Sequence, residues 1–360
     1  MKTPSPFWSG TAAEVGAAQQ RAWRAAWEPF HARLHAEGNR RIDAARVRQL
    51  VALLETWAPD WLIEAEAFAG EHLEGYLDDQ CRRLQPDPHT LAEANCSTLL
   101  ALGRATADGA PLLLKIRDEA PHPQIRFRRK VGATRAVLTG TNLGNLGIAQ
   151  MANDAGLVGA NNTGGPLKEC SGEVGLNDCL VLRLIAETCA TCAEAVRLLE
   201  RLAAARALGN GGYARGMIFL LADATGRGVI AECSRTEVAV REVTDGVCGR
   251  TNHFLLPEMG ALGDPARNRE IAVQSSLERY DRLMKLAREL PTLSPERLME
   301  ISRDTAGTYP LCQSASTLPW RTVSSWVHRV RPVPQPPQSW CCDTAPVDGR
   351  YVPDSSCQTP

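Results

Sequence analysis

The sequence is short of charge imbalance, of histidine and of long apolar runs. Its 40 Lys and Arg nearly cancel 41 Asp and Glu, leaving a formal net charge of -1. No global basic field draws the chain to nucleic acid or to a membrane surface, and neither is expected as a partner. The short basic run from Arg126 to Lys130 reads as a solvated strand or loop face. No apolar stretch approaches the roughly 20 residues that span a bilayer. Met1 to Pro6 carry no charged-then-apolar targeting pattern, so a cytoplasmic protein is expected. Seven histidines are scattered, with no obvious Cys/His pairing, and no internal repeat is present.

Cysteine is plentiful by contrast. Twelve cysteines are spread through 360 residues without the density of a secreted disulfide scaffold. Cys189-Ala-Thr-Cys192 has C-x-x-C spacing but lies in a helical pattern, with no second such pair and no histidine cluster nearby. Two core cysteines on a helix are expected there, in preference to a zinc or redox site.

Apolar spacing over residues 11–83 predicts helices, built around Trp23, Trp27 and Phe30, then Ile42 to Trp57, then Trp61 to Leu84. Gly38-Asn39 and Pro86-Asp87-Pro88 interrupt them. Strand material follows at Arg135 to Ile148 and Leu157 to Ala160, then a loop at Asn161 to Pro166. Two helical stretches, Cys179 to Thr188 and Cys192 to Ala207, precede a hairpin of Met217 to Asp223 with Val229 to Cys233. The strand Glu237 to Val243 comes next, and Gly249 to Asn252 is expected to close the same sheet. Helices at Leu277 to Leu290 and Pro295 to Arg303 lead to a strand at Arg321 to Val330. This order fits a layered α+β sandwich better than strict βαβ alternation.

The stretch that organises the chain is Asn95-Cys96-Ser97-Thr98-Leu99-Leu100, which turns at Asp108-Gly109 and returns as Leu112-Leu113-Leu114-Lys115-Ile116-Arg117-Asp118. Turn chemistry and apolar runs predict a β-hairpin, with Cys96 and the Arg117-Asp118 pair side by side at one sheet edge. A buried core cysteine is the competing reading.

Together with Asn153-Asp154-Ala155-Gly156-Leu157, Leu220-Leu221-Ala222-Asp223-Ala224-Thr225-Gly226 and Thr251-Asn252-His253-Phe254, this hairpin resembles the penicillin acyltransferase (isopenicillin-N acyltransferase-like) family of N-terminal-nucleophile hydrolases. Choloylglycine hydrolases and penicillin V acylases are its more distant relatives. The resemblance covers roughly residues 60 to 330. It implies a four-layer αββα sandwich with a helical N-terminal segment. The implied division is a propeptide or small subunit of residues 1–95, a catalytic domain of 96–330, and a Pro- and Cys-rich, partly ordered tail of 331–360. Within that tail Gly349-Arg350-Tyr351 resembles the family's closing strand.

The chemistry implied is self-contained. A thiol with a free pKa near 8.5 is a poor nucleophile at neutral pH until a base takes its proton. By resemblance, Cys96 attacks the carbonyl of Asn95, the chain is cut at Asn95-Cys96, and the freed α-amino group, with a pKa of about 8, then serves as base. Many relatives carry glycine before the cysteine, and asparagine crowds that carbonyl. A papain-like dyad with His253 is the lesser alternative. Asp118 is implied to orient the amine and Asn252 to stabilise the oxyanion, although Asn252 also reads as a turn residue. Asn161 or Asn162, in an ambiguous register, matches a pocket-lining asparagine. Arg117 and Arg279 are candidate substrate contacts, and each also reads as a surface charge. Where many relatives have Cys-Arg, this chain has Cys312-Gln313.

The expected activity is that of a cysteine amidohydrolase or acyltransferase, with an acyl-enzyme on Cys96 and a small amide or acyl-thioester substrate. The alternatives are an acyl- or peptidyl-transferase of a biosynthetic pathway and a non-catalytic binding module on the same fold. No metal or organic cofactor is implied, and the propeptide is expected to stay bound as a subunit.

Overall fold

The computed structural model describes residues 5–36, 42–82, 95–119, 123–169, 173–209, 215–264, 266, 270–314 and 320–354. The expected breaks at Gly38-Asn39 and Pro86-Asp87-Pro88 lie outside these residues. Strand β1 (Phe7–Gly10) precedes helices α1 (Ala12–Ala36), α2 (Ala44–Trp57), α3 (Pro59–Ala69) and α4 (Leu73–Arg82). Strands β2 (Asn95–Gly103), β3 (Gly109–Glu119), β4 (Gln124–Val131), β5 (Val137–Asn142), β6 (Gln150–Asn153) and β7 (Val158–Pro166) follow. Helices α5 (Asp178–Thr188) and α6 (Cys192–Ala204) lead to β8 (Arg215–Ala222), β9 (Gly228–Cys233), β10 (Val238–Val243) and β11 (Gly246–Arg250). The chain then forms α7 (Pro257–Leu262), α8 (Glu270–Arg288), α9 (Pro295–Ile301), β12 (Arg321–Arg329), β13 (Gln338–Cys342) and β14 (Val352–Pro353).

The strands form an eight-stranded sheet, β1-β4-β5-β6-β7-β8-β9-β10, and a six-stranded sheet, β11-β2-β3-β12-β13-β14. β2 and β3 pack face to face on β7 and β8, while α5 and α6 cover the outside of the large sheet and α8 and α9 the outside of the small one. This is the expected αββα sandwich. Because β2 and β3 are buried on both faces, they read as continuous apolar runs. Leu100, Leu102 and Leu113 fill the space between the sheets. Leu99, Ala101, Leu112, Leu114 and Ile116 pack under α8 and α9.

Several expectations change. Asn161 to Pro166, expected as a loop, continue strand β7. The Asn162 and Thr163 side chains are matched by hydrogen bonds inside the sandwich, so buried asparagine does not signal a loop here. Gly246 to Arg250 pair with β2, so the chain crosses from the large sheet to the small one after β10. Within 331–354, β13 and β14 extend the small sheet, and Cys341 and Cys342 are buried. Cys189 caps the end of α5 and Cys192 opens α6, so the two thiols straddle a connection in place of sharing a helix; both are free and buried. Among the described residues no helix is long and apolar enough to cross a membrane.

The N-terminal helices share the core outside the large sheet, where Trp23, Trp27, Leu50, Leu54 and Phe68 join Phe127, Val137 and Leu180. A buried charge network ties them down. Glu64 of α3 accepts from Arg129 Nη1 at 2.8 Å, from Arg129 Nη2, and from Arg183 Nη2 at 2.5 Å. Arg129 therefore belongs to the interior, contrary to the solvated face expected for Arg126 to Lys130. Burial raises the Glu64 pKa, but the Arg129 and Arg183 charges overcome it and hold the carboxyl at about 2. With the folded value depressed, this contribution to stability is complete above the ordinary 4.5 and is lost as pH falls toward 2. Glu64→Ala leaves two buried guanidinium groups to share Glu187 alone and should cost about 3 kcal/mol in chemical denaturation at neutral pH. The gap between wild type and variant should close in acid.

Candidate active site

Two residues directly opposite in an antiparallel pair point to the same face. The register pairs Cys96 with Arg117, Thr98 with Lys115 and Leu100 with Leu113. All six side chains therefore face the gap between the sheets, with the polar ones gathered at the end beyond Leu100. Asn95 pairs with Asp118 and Ser97 with Ile116, and these face α8. Cys96 thus lies beside Arg117 as expected, while Asp118 projects from the opposite side of the sheet.

Helix α8 supports the strand from that side. Arg279, expected as either a substrate contact or a surface charge, is fully buried. Its Nη1 donates to the Cys96 carbonyl oxygen at 2.7 Å and to Ser97 Oγ at 3.0 Å. Its Nη2 donates to Asn95 Oδ1 at 3.1 Å and to Asn252 Oδ1 at 3.0 Å. Asn252, just past β11, accepts the Cys96 backbone N–H at 2.9 Å through the same oxygen. Its Nδ2 donates to the Thr163 carbonyl at 2.9 Å, and its own N–H is held by Ser276 Oγ at 2.8 Å. Asn252 has a full set of partners, and its oxygen, not its amide donor, faces Cys96. The helix expected from Leu277 begins earlier, so Ser275 and Ser276 lie inside α8.

Asp118 is fully buried and accepts from Thr322 Oγ1 at 2.6 Å and Gln313 Nε2 at 3.3 Å. Burial pushes its carboxyl up to about 6, against the Arg279 charge and the Thr322 hydrogen bond. Gln313, standing where many relatives have arginine, is committed to Asp118 and to the Trp320 indole N–H.

On the thiol's side, Asn162 Oδ1 accepts from Thr98 Oγ1 at 2.7 Å and from Lys115 Nζ at 2.7 Å. Its Nδ2 donates to the Arg250 and Thr251 carbonyls, which fixes its orientation. The Asn161 carbonyl also accepts from Lys115, while Asn161 Nδ2 meets Cys179 Sγ at 3.6 Å. Asn161 Oδ1 is buried without a hydrogen-bond partner. Both asparagines are therefore part of the site: Asn162 braces it, and Asn161 presents an unused acceptor. Arg117 donates to Glu119 and Gln124, each at 2.5 Å, and to Asn142 at 3.0 Å. It is anchored at the sheet end by an acidic partner.

Lys115 has no assigned role in the sequence reading, yet it lies opposite Thr98 on the same inner face as Cys96, where each acts on the other's charge. A lone lysine inside Leu112-Leu113-Leu114-Lys115-Ile116, two positions from Arg117, was the available signal. Burial raises the thiol pKa, and the Lys115 and Arg117 charges only partly offset it. His253 is engaged elsewhere. Its Nδ1 meets Ser276 Oγ at 2.8 Å and its ring stands edge-on to Tyr280. Burial and the Arg279 and Arg250 charges hold its pKa down at about 4.

Among curated proteins none matches the sequence. The chain is similar in structure to a conjugated bile acid hydrolase from Clostridium perfringens, at 12% identity over 68% of this chain and 88% of that one, with a TM-score of 0.44. It is also similar to penicillin V acylase from Agrobacterium tumefaciens, at 13% identity over 68% and 82%, with a TM-score of 0.44. The ortholog of N-acylethanolamine-hydrolyzing acid amidase from Caenorhabditis elegans gives 14% identity over 64% and 92%, with a TM-score of 0.40. Residues 137–322, more than half of the chain and including Asn161, Asn162, Asn252 and Arg279, match the family model described as acyl-coenzyme A:6-aminopenicillanic acid acyl-transferase, and the chain belongs to that family.

Proposed function

We propose that the protein is a self-processing cysteine amidohydrolase or acyltransferase that cuts itself at Asn95-Cys96 and then carries an acyl group on Cys96. The observation that carries the reading is the hydrogen bond from the Cys96 backbone nitrogen to Asn252 Oδ1. A strand nitrogen ordinarily finds its acceptor in a neighbouring strand. Here it is held by a side chain that is itself locked by Arg279 and Thr163. On cleavage that nitrogen becomes the α-amine, already in place to take the thiol proton. Release of Asn95 also removes one of the acceptors of Arg279 Nη2, leaving a buried donor for substrate.

In this reading Asp118 sits one register position from the new ammonium and balances its charge. Asn252 serves the tetrahedral intermediate through Nδ2 by exchanging the Thr163 carbonyl for the oxyanion. The substrate is a small amide or an acyl thioester, in keeping with the family's acyl transfer. The propeptide of residues 1–95 stays bound through the tryptophan-rich core it shares with the large sheet.

N-terminal sequencing of the purified protein tests the reading. Wild type should yield a chain beginning at Cys96, and Cys96→Ala should remain a single intact chain without amide hydrolysis or acyl transfer. An intact wild type in which Cys96 is inert to acyl donors would refute it.

Asp118 supplies a second test, because the fold keeps a carboxyl that it does not stabilise. Its folded pKa of about 6 lies above the ordinary 3.8, so its contribution to stability is complete below 3.8 and is lost as pH rises through 6. In an uncut Cys96→Ala background, Asp118→Asn should therefore be the more stable protein at neutral pH. The advantage should reach roughly 3 kcal/mol and vanish near pH 4 in denaturant titrations. In an otherwise wild-type chain, the same substitution should abolish or severely slow cleavage.

A further inference from the structure

Before cleavage Cys96 has no amine. Its nitrogen is an amide N–H donating to Asn252, and an amide cannot accept the thiol proton. The first turnover of the chain, on its own backbone, therefore needs a different base. His253 is turned to Ser276, and Asp118 lies on the far side of the sheet. Arg117 cannot give up a proton at any ordinary pH, and Glu119 is held in its ion pair with Arg117 and by the Asn142 amide. The remaining group at the thiol is Lys115.

Lys115 is fully buried between the sheets. Its Nζ donates to the Asn161 carbonyl and to Asn162 Oδ1, and its place opposite Thr98 puts it on the same face as the Cys96 thiol, the next pair along that face of the hairpin. Neither acceptor is a carboxylate. The charged and titratable groups that face the pair are Arg117 and Glu119 from β3 and Asp178 from α5, where Asp178 is itself capped by Thr163 Oγ1 and the Cys179 N–H. Two acceptors from β7 hold two of the amine's N–H bonds, which leaves its lone pair free of both.

We propose that Lys115 is the catalytic base of the uncut chain, taking the Cys96 thiol proton while residue 95 is still attached. This rests on the self-cleavage reading above. The step balances without any co-reactant other than water. The thiol sulfur bonds to the carbonyl carbon of Asn95 as its proton passes to the neutral Lys115 amine. The tetrahedral intermediate collapses with loss of the carbon–nitrogen bond, and the Lys115 ammonium returns the proton to the departing nitrogen, leaving a thioester and a free α-amine. Water then adds its hydroxyl to the carbonyl carbon and a proton to the sulfur, releasing Asn95 as a carboxylate. Burial favours the neutral amine that this requires, pushing Lys115 below its ordinary value. Once the α-amine exists, two bases flank one thiol, and Lys115 becomes dispensable for later turnovers in proportion to how well the amine works.

Three full-length chains test this: wild type, Lys115→Arg and Lys115→Met, each checked by thermal melting. Arginine keeps the positive charge and the donors to Asn161 and Asn162 but cannot act as a base. Methionine keeps the shape alone and stands in if arginine fails to fit. Two rates are read for each, self-cleavage across pH and iodoacetamide alkylation of Cys96 in the intact chain. For Lys115→Arg, cleavage at neutral pH should fall by about 100-fold or more and climb steadily with hydroxide, while alkylation stays near the wild-type rate. Lys115→Met should lose both. An arginine variant that cleaves with the wild-type rate and pH profile would show that charge suffices and overturn the proposal, as would a folded methionine variant that cleaves normally. A wild-type chain that never cleaves would overturn the self-processing reading and this step with it.

Discussion

In an antiparallel pair the pleat divides side chains between two faces, and a shift of one residue would exchange them all. The β2–β3 register is therefore the constraint on which the site depends. It sends Cys96, Thr98, Lys115 and Arg117 into the gap between the sheets, and Asn95, Ser97 and Asp118 toward α8. Leucines enforce it on both sides: Leu100, Leu102 and Leu113 against the large sheet, Leu99, Leu112 and Leu114 against α8 and α9. A slip would bury polar groups without partners at one end and move lysine into a leucine layer, each costing several kcal/mol. The hydrophobic core thus fixes the geometry of the chemistry next to it.

Buried charge is handled in two ways within this one fold. Glu64 meets two guanidinium groups head on, and its carboxyl is held far below the ordinary range. That arrangement fastens the N-terminal helices to the sheet and asks nothing of proton exchange. Asp118 and Lys115 are treated differently. Asp118 is hydrogen-bonded by a hydroxyl and an amide, with Arg279 near but not paired to it. Lys115 has a carbonyl and an amide oxygen, with the Cys96 thiol on the same face. Both are driven toward the neutral form by burial, one upward and one downward. Groups left in that condition give up or take a proton more readily than a tightly paired ion does.

Much of this was legible beforehand, and the failures have physical causes. The hairpin was visible because apolar runs and Asp108-Gly109 are local signals; Gly109 sits at φ +75°, where glycine is at ease. The meeting of Cys96, Asn252 and Arg279 was available only through resemblance, since residues 96, 252 and 279 come together by sheet pairing and helix packing that no local pattern encodes. Asn161 to Pro166 mislead because asparagine and glycine accept unusual backbone angles, whereas here they extend a strand and Asn162 is satisfied by Thr98, Lys115 and the Arg250 and Thr251 carbonyls. The crossing to the second sheet at Gly246 was invisible because a strand's sequence does not say which neighbour it will find. Lys115 was overlooked because the eye follows a motif's Arg-Asp ending. The more informative anomaly was a single charge in a run that must be buried.

The family match begins at Val137, after the whole hairpin. The matched part supplies Asn161, Asn162, Asn252 and Arg279, a cradle of hydrogen-bonding groups. The part ahead of it supplies the thiol, the lysine and the carboxyl. Neither half has a complete site, and they are joined through side chains that cross the sandwich: Lys115 to Asn161 and Asn162, Asn252 to the Cys96 nitrogen, Arg279 to its carbonyl. Such bonds can form only after both sheets have paired and stacked. An unfolded or half-folded chain would hold Cys96 as an ordinary thiol beside an ordinary amide. Under the self-cleavage proposal, reactivity at Asn95-Cys96 is thereby conditional on completed folding, and the polar end of the sheet gap is the place where that condition is read.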